Sequence, residues 1–102
     1  MQIQDFKLFL EVAELGSFTK VAAQRQTVQS HISRQISTFE EACGSPLFKR
    51  TGRGVTLTEF GRHVALKARQ WVRETDEFFA DIQQTAKVPM GEVRIGILPS
   101  AA

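Results

Sequence analysis

Polar and cationic side chains crowd the first half of one predicted helix. Arg34 can pair bidentately with guanine, and Gln29 and Gln35 with adenine, because their side chains match the donors and acceptors in the major groove of duplex DNA. Each such pair discriminates against a wrong base by about 1–3 kcal/mol. The same helix also carries Ser30, His31 and Ser33. Hydrophilic surface helices are common, so base contact and plain solvent exposure both remain open here, for His31 above all.

Three cations surround a pair of glycines shortly after that helix. Leu47-Phe48 and Val55-Thr56-Leu57 are β-forming runs, and Gly52 and Gly54 are predicted to supply the unusual backbone angles of a hairpin tip. A thin tip could place arginine in a narrow minor groove, where the negative potential favours it. The alternative is a charged, solvent-exposed turn. The predicted contacts in this hairpin are Lys49, Arg50, Thr51 and Arg53.

Three short helices must position these groups. Apolar residues recur at helical spacing over residues 3–14, and Gly16 ends that helix. A second helix is predicted from Phe18 to about Arg25, and a third from about Val28 to Ala42. In the third, Val28, Ile32, Ile36 and Phe39 are predicted to face the first two helices. This plan is a helix-turn-helix over about residues 18–37, with the hairpin as a wing anchored by Leu47, Phe48 and Leu57.

Hydroxyl groups at two helix starts are further candidates. Ser17 and Thr19 place hydroxyl and free N–H groups where a phosphate could sit, although a simple cap at Ser17 explains the same pattern. Thr58 followed by Glu59 predicts the start of a fourth helix, and Thr58 is also a candidate for DNA contact.

The fourth helix, predicted from Phe60 to about Lys87, is too long for residues 1–58 to cover, since it would measure roughly 40 Å. An exposed apolar stripe of this kind needs a partner. Self-association is favoured over folding back, because the sequence lacks the turn that folding back requires. The predicted dimer interface consists of Val64, Ala68, Trp71, Val72, Phe78, Phe79 and Ile82.

Charge and composition agree with a DNA-binding surface. Residues 16–58 hold six cations and two acids, whereas residues 59–102 hold six of each. Positive charge is therefore concentrated around the predicted helix-turn-helix and wing. This distribution fits a face that meets phosphates and fits a solvated, mildly basic surface equally well. The single cysteine, Cys43, excludes an internal disulfide framework and favours a reducing compartment. No apolar run approaches the ~20 residues of a membrane span, and a cytoplasmic location is expected.

Catalysis is not predicted. His31, Cys43 and His63 lack metal-ligand spacing, and no phosphate-binding loop or dinucleotide fingerprint is present in the sequence. We therefore expect a protein that is not an enzyme and that uses no metal or cofactor.

Four stretches in the same order resemble the N-terminal region of LysR-type transcriptional regulators. They are Gly16-Ser17-Phe18-Thr19, Ser33-Arg34-Gln35-Ile36, Leu47-Phe48-Lys49-Arg50-Thr51 and Val55-Thr56-Leu57-Thr58-Glu59-Phe60-Gly61. The resemblance runs without a gap from about residue 3 to residue 61. It implies a mainly α, winged helix-turn-helix DNA-binding domain over residues 1–58, then a linker and dimerisation helix over 59–87. Residues 88–102 would be the hinge and first strand of an effector-binding domain.

The resemblance also implies partners and site residues. It implies binding to operator DNA as a homodimer, with a tetramer as the alternative at full length. It also implies a small-molecule effector for the C-terminal domain and a nucleoid-associated location. Gln29, Ser33 and Arg34 match recognition-helix positions, and Arg50, Thr51 and Arg53 match the wing. The sequence departs from the family pattern at Arg25, Thr27, Val28, Ser30 and His31.

Two departures carry structural expectations. The aliphatic stem of Arg25 is expected to pack on the apolar stripe of the second helix while its charged head reaches solvent. Val28 has no side-chain acceptor, so either Thr27 caps the third helix, which then starts one residue earlier, or neither residue caps it and the helix loses about 1 kcal/mol.

Two hypotheses of different classes result. One is a sequence-specific, dimeric DNA-binding regulator. The other is a protein-interaction module that acts through the aromatic linker helix and has only non-specific DNA affinity. A steep fall of DNA affinity with salt would favour the first.

Overall fold

The computed structural model describes residues 2–87. Four helices and one antiparallel hairpin follow one another in the order of a winged helix-turn-helix, and this confirms the predicted fold class. The predicted strand near residues 92–98 lies outside the described residues. The elements are α1 (Ile3–Leu15), α2 (Phe18–Gln24), α3 (Gln29–Cys43), β1 (Phe48–Thr51), β2 (Gly54–Leu57) and α4 (Glu59–Lys87).

Local signals account for most helix boundaries. Gly16 ends α1 in the left-handed conformation, with φ of 67°. The Ser17 hydroxyl then accepts a hydrogen bond from the Lys20 N–H at 3.1 Å and caps α2. The N-cap of α3 is Val28, without a side-chain cap, so the expectation that Thr27 caps this helix is wrong. Thr27 lies one residue further out, in the turn, where its N–H donates to the Ala22 carbonyl at 2.9 Å.

The core lies where the three helices meet the wing and the first half of α4. Phe9, Val12 and Val21 are fully buried, and so is Leu47 at the base of the wing. Val28 was expected in this core, but its side chain is 63% exposed. As an N-cap it precedes the helical repeat that turns Ile32, Ile36 and Phe39 inward, and it therefore lies off their stripe. The buried set is Leu8, Phe9, Val12, Val21, Ala22, Ile32, Ile36, Phe39, Leu47, Val55, Ala65 and Ala68.

Arg25 is held by α1. Its Nη2 lies 2.7 Å from Glu11 Oε1, and its Nε donates to the same oxygen at 2.8 Å. The charged head lies at the surface, as expected, and it also pairs with Glu11, which the sequence did not indicate, because Glu11 lies opposite the end of α2. The ion pair joins the first two helices at the surface, where such pairs contribute about 0–1 kcal/mol.

The wing pairs Phe48 with Leu57 and Thr51 with Gly54 at its two ends. Its base is anchored by Leu47 and by Phe48, whose ring centroid lies 5.4 Å from that of Phe9. At the tip, Gly54 has the left-handed φ of 149°, whereas Gly52 does not have a positive φ. The expectation that both glycines supply unusual angles is therefore wrong for Gly52.

The first half of α4 completes the core. Ala65 and Ala68 are buried, and the Trp71 ring meets Phe6 of α1 edge-on at a centroid distance of 4.9 Å. Ala68, assigned to the dimer interface from the sequence, is only 2% exposed and so cannot meet a second subunit. The same apolar face continues along α4 to Phe78 and Phe79, which are exposed.

Candidate nucleic-acid interface

Helix α3, the predicted recognition helix, turns its polar side away from the core. Successive residues are separated by roughly 100° around a helix. With Ile32 and Ile36 buried, Ser30 and Arg34 therefore lie on the opposite side, and both are exposed. Gln29 is exposed at the first helical position. These groups are free to reach another molecule because the described residues leave them uncovered.

One flank of α3 faces the wing. A cleft of about 200 Å³ separates the two and brings Ser33 of α3 together with Lys49 and Arg50 of β1. Ser37, one helical turn after Ser33, lines the same cleft. The structure thus unites one predicted recognition-helix residue with two predicted wing residues, although they lie 16 and 17 positions further along the sequence.

The other flank of α3 faces the start of α1. His31, Arg34 and Gln35 line a cleft of about 340 Å³ on this side, together with Asp5 of α1. These three side chains therefore lie near one another but on the opposite flank from the wing. A duplex that contacted all predicted α3 residues would have to span both flanks of the helix.

The two arginines of the wing have different environments. The guanidinium carbon of Arg50 lies 5.7 Å from the centroid of the Phe18 ring, within cation–π range. Arg53 is exposed in the turn between the strands, where its N–H donates to the Thr51 hydroxyl at 3.2 Å. Arg50 is thus held at the side of the domain, and Arg53 is the cation at the tip.

Of the hydroxyl candidates, Ser17 and Thr58 have structural roles. The Ser17 hydroxyl caps α2, whereas Thr19 is exposed. The Thr58 hydroxyl donates to the Pro46 carbonyl at 2.8 Å and accepts from the Gly61 N–H at 2.9 Å. Its predicted capping role is therefore confirmed. Its predicted DNA contact is not supported, because the hydroxyl proton is already used inside the protein.

Three residues of this surface were not singled out from the sequence. Phe18 holds Arg50, and Ser37 lines the cleft between α3 and the wing. Glu40 accepts hydrogen bonds from the Leu47 and Phe48 N–H groups at 2.7 and 3.1 Å. The spacing of Ser37 from Ser33 could have indicated a shared flank. The Glu40 contact depends on how the chain returns after α3, for which the sequence gives no local signal.

Within residues 2–87, no three His, Cys, Asp or Glu side chains are grouped to hold a metal ion. None of the described helices combines the length and apolarity that a membrane span requires. Burial raises the pKa of the Cys43 thiol, and the nearby Glu40 carboxylate raises it further, so this thiol is not activated as a nucleophile.

A three-helix body that carries an uncovered third helix beside a cationic wing defines a winged helix-turn-helix DNA-binding domain. The model of the bacterial regulatory helix-turn-helix proteins of the LysR family matches residues 3–62, and the chain belongs to this family. This membership favours the DNA-binding hypothesis over the protein-interaction module.

Named relatives are transcriptional regulators. Over 102 residues the chain is 36% identical to the regulator IlvY of Escherichia coli (strain K12), covering all of this chain and 34% of that protein. Over 96 residues it is 34% identical to the regulator DgdR of Burkholderia cepacia, covering 94% of this chain and 32% of the relative. The chain thus spans about a third of the length of these relatives.

Solved structures match the same region. The DNA-binding domain of BenM, in a complex with benA site 1 DNA, has a TM-score of 0.79 at 30% identity and covers 85% of this chain and 98% of that one. The DNA-binding domain of CbnR, also in a DNA complex, has a TM-score of 0.77 at 28% identity and covers 85% of this chain and all of that one.

Proposed function

We propose that residues 2–87 bind a specific duplex DNA sequence as a homodimer, with α3 in the major groove and the wing in the minor groove. The observation that carries this proposal is the cleft that joins Ser33 to Lys49 and Arg50. It supports a continuous surface on which base-reading and phosphate-binding side chains meet. Similarity to DNA-binding domains solved in DNA complexes supports duplex DNA binding by this domain.

In the major groove, the uncovered side of α3 supplies the base contacts. Arg34 pairs with guanine, and Gln29 and Gln35 pair with adenine, through the bidentate geometry available to each side chain. Ser30, His31 and Ser33 complete this contact surface. Contacts at the N-terminal residues of a recognition helix are the usual mode for this architecture.

At the wing, the two arginines have different tasks. Arg53 at the tip enters the minor groove, and Arg50, held over Phe18, contacts the backbone beside it. Lys49 and Thr51 add phosphate contacts. At the start of α2, a further phosphate binds to the exposed Thr19 and to the N–H groups near Ser17.

Dimerisation uses the distal stripe, which we define as Phe78, Phe79 and Ile82. These side chains are 62%, 56% and 44% exposed, and they continue the face of α4 that is buried nearer its start. Trp71, which is 44% exposed beside Phe6, together with Val64 and Val72 forms the border of this interface. A symmetric dimer presents two recognition helices to half-sites about one or more helical turns of DNA apart.

We propose a cytoplasmic, nucleoid-associated location for this regulator. In the relatives, about two thirds of the chain lies beyond the matched region. For a protein of the relatives' length, we propose a C-terminal domain that binds a small-molecule effector, and tetramer formation. The relatives are transcriptional regulators, which supports a role without catalysis or a cofactor.

Selection of bound duplexes from a random library, followed by affinity measurements across salt concentrations, tests the proposal. We expect a palindromic consensus and an affinity for it that falls by about 10³ or more between 50 and 200 mM salt. Arg53→Ala should weaken binding most at sites flanked by A·T pairs, whereas Lys67→Ala on α4 removes the same charge with little effect. A weak affinity that is flat with salt and shows no consensus would overturn the proposal.

A further inference from the structure

Two features of Val28 are unfavourable for the stability of the free protein. As the N-cap of α3 it provides no side-chain acceptor for the free N–H groups, which Ser, Thr, Asp or Asn would provide. The residue is also 63% exposed, so its isopropyl group gains little from burial. A residue that breaks a local rule without a compensating gain in the free protein is expected at functional sites.

The surroundings of Val28 point to the ligand. Val28 immediately precedes Gln29, Ser30 and His31, whose side chains are all exposed, so it lies at the N-terminal end of the helix assigned to the major groove. Among the described residues, the other large apolar side chains that are exposed all belong to α4: Leu66, Trp71, Phe78, Phe79 and Ile82. Val28 is therefore separate from the proposed dimer interface and cannot be explained by it.

The major groove offers one apolar group at the base edges, the C5-methyl of thymine. A phosphate or a water molecule would select a polar side chain at this position, whereas a thymine methyl selects an aliphatic one. We propose that Val28 is a specificity-determining residue that reads a thymine methyl in each half-site. This inference rests on the proposed binding of duplex DNA through α3.

The test removes the methyl group from the DNA and the isopropyl group from the protein. The probe is the duplex selected from random sequence, in which each thymine is replaced in turn by deoxyuridine. This change deletes the methyl and keeps base pairing. We expect one symmetry-related thymine per half-site at which the replacement weakens binding by about 3- to 10-fold, the range expected for one buried methyl group.

Val28→Ser distinguishes recognition from folding. Serine restores a side-chain cap, so the variant should unfold at an equal or higher temperature than the wild type. Its affinity should nevertheless no longer distinguish thymine from deoxyuridine at the sensitive position. Val28→Ile keeps an aliphatic group there and should retain the discrimination.

Three results would overturn the inference. The first is the absence of any thymine at which the methyl matters. The second is a sensitive thymine whose discrimination survives unchanged in Val28→Ser; in both cases the proposed DNA binding by α3 would still stand. The third is a failure to select any specific duplex, which would overturn the proposed function as well.

Discussion

Glu40 fixes the base of the wing to the recognition helix, because its Oε2 accepts the Leu47 N–H at 2.7 Å. The same oxygen accepts the Phe48 N–H at 3.1 Å. Glu40 lies in the last turn of α3, and Phe48 begins β1. One carboxylate therefore sets the distance between the two parts of the proposed interface.

Glu40→Ala should destabilise the protein by about 2–4 kcal/mol, since it leaves two partly buried N–H groups without their charged acceptor. Glu40→Gln keeps an acceptor oxygen and should cost less. The control is Glu41→Ala, whose side chain is exposed and whose effect should stay within about 0.5 kcal/mol. Urea unfolding measures the stability, and hydrogen exchange at Leu47 and Phe48 locates the effect. Equal stability of Glu40→Ala and Glu41→Ala would contradict this account.

Gly54→Ala should disrupt the wing, because a Cβ at this position would overlap the Gly16 carbonyl oxygen. That oxygen also accepts the Val55 N–H at 3.0 Å, so it cannot move away freely. The φ of 149° adds strain of about 1–3 kcal/mol for a non-glycine residue.

Gly52→Ala is the matched control for this substitution. A Cβ at Gly52 would have open space around it, and we expect a change within about 0.5 kcal/mol. Thermal unfolding of the two variants compares them directly. If Gly52→Ala lost as much stability as Gly54→Ala, the contact with the Gly16 carbonyl would not be the cause of the loss.

Much of this fold could be predicted from the sequence because its signals are local. Helical periodicity predicted the inward positions Ile32, Ile36 and Phe39, and the capping residues Ser17 and Thr58 were recognised from their types. These features depend on a few neighbouring residues, which physical preferences for helix and cap positions describe well.

What could not be predicted depends on contacts between distant segments. Ala68 was assigned to the dimer face because the stripe on α4 is continuous, and only the position of α1 shows that its first half is already covered. Likewise, Phe18 and Arg50 are 32 positions apart, and their contact exists because the wing folds back beside α2. Val28 failed as a core residue because the helical repeat begins one position later.

Gln26→Gly should stabilise the turn between α2 and α3. Gln26 has a φ of 57°, the left-handed conformation, which costs a non-glycine residue about 1 kcal/mol. Removing the Cβ relieves this cost, partly offset by the entropy of glycine in the unfolded chain, and we expect a gain of about 0.5 kcal/mol. Gln24→Gly, two residues earlier at the end of α2, should instead destabilise. Chemical unfolding measures both variants. Stabilisation by Gln26→Gly with destabilisation by Gln24→Gly would support backbone strain at Gln26, and destabilisation by both would contradict it.

Cys43 should react slowly with thiol reagents. Burial raises the pKa of its thiol, and the Glu40 carboxylate raises it further, so less thiolate is present near pH 8 than for an exposed cysteine. A pKa raised by folding also means that the contribution of Cys43 to stability is present at low pH and declines above about pH 8.5, where the unfolded chain ionises first. The alkylation rate of Cys43, compared with that of a cysteine peptide, tests the expected low reactivity of the thiol. Glu40→Gln should speed the reaction; an unchanged rate would show that the carboxylate has no influence on the thiol.

Phe79→Glu should break the proposed dimer without unfolding the domain. Phe79 lies on the distal stripe and is 56% exposed in one chain, so the substitution should have little effect on the stability of a monomer. In a symmetric dimer both copies of the charge would be buried, and the dissociation constant should rise by about 100-fold or more.

The matched control is Leu66→Glu. Leu66 is 68% exposed on the other side of α4, where no partner is proposed, and its substitution should leave the dimer intact. Sedimentation velocity over a range of concentrations measures both variants, and dissociation caused by Leu66→Glu but not by Phe79→Glu would place the interface on the opposite face of α4.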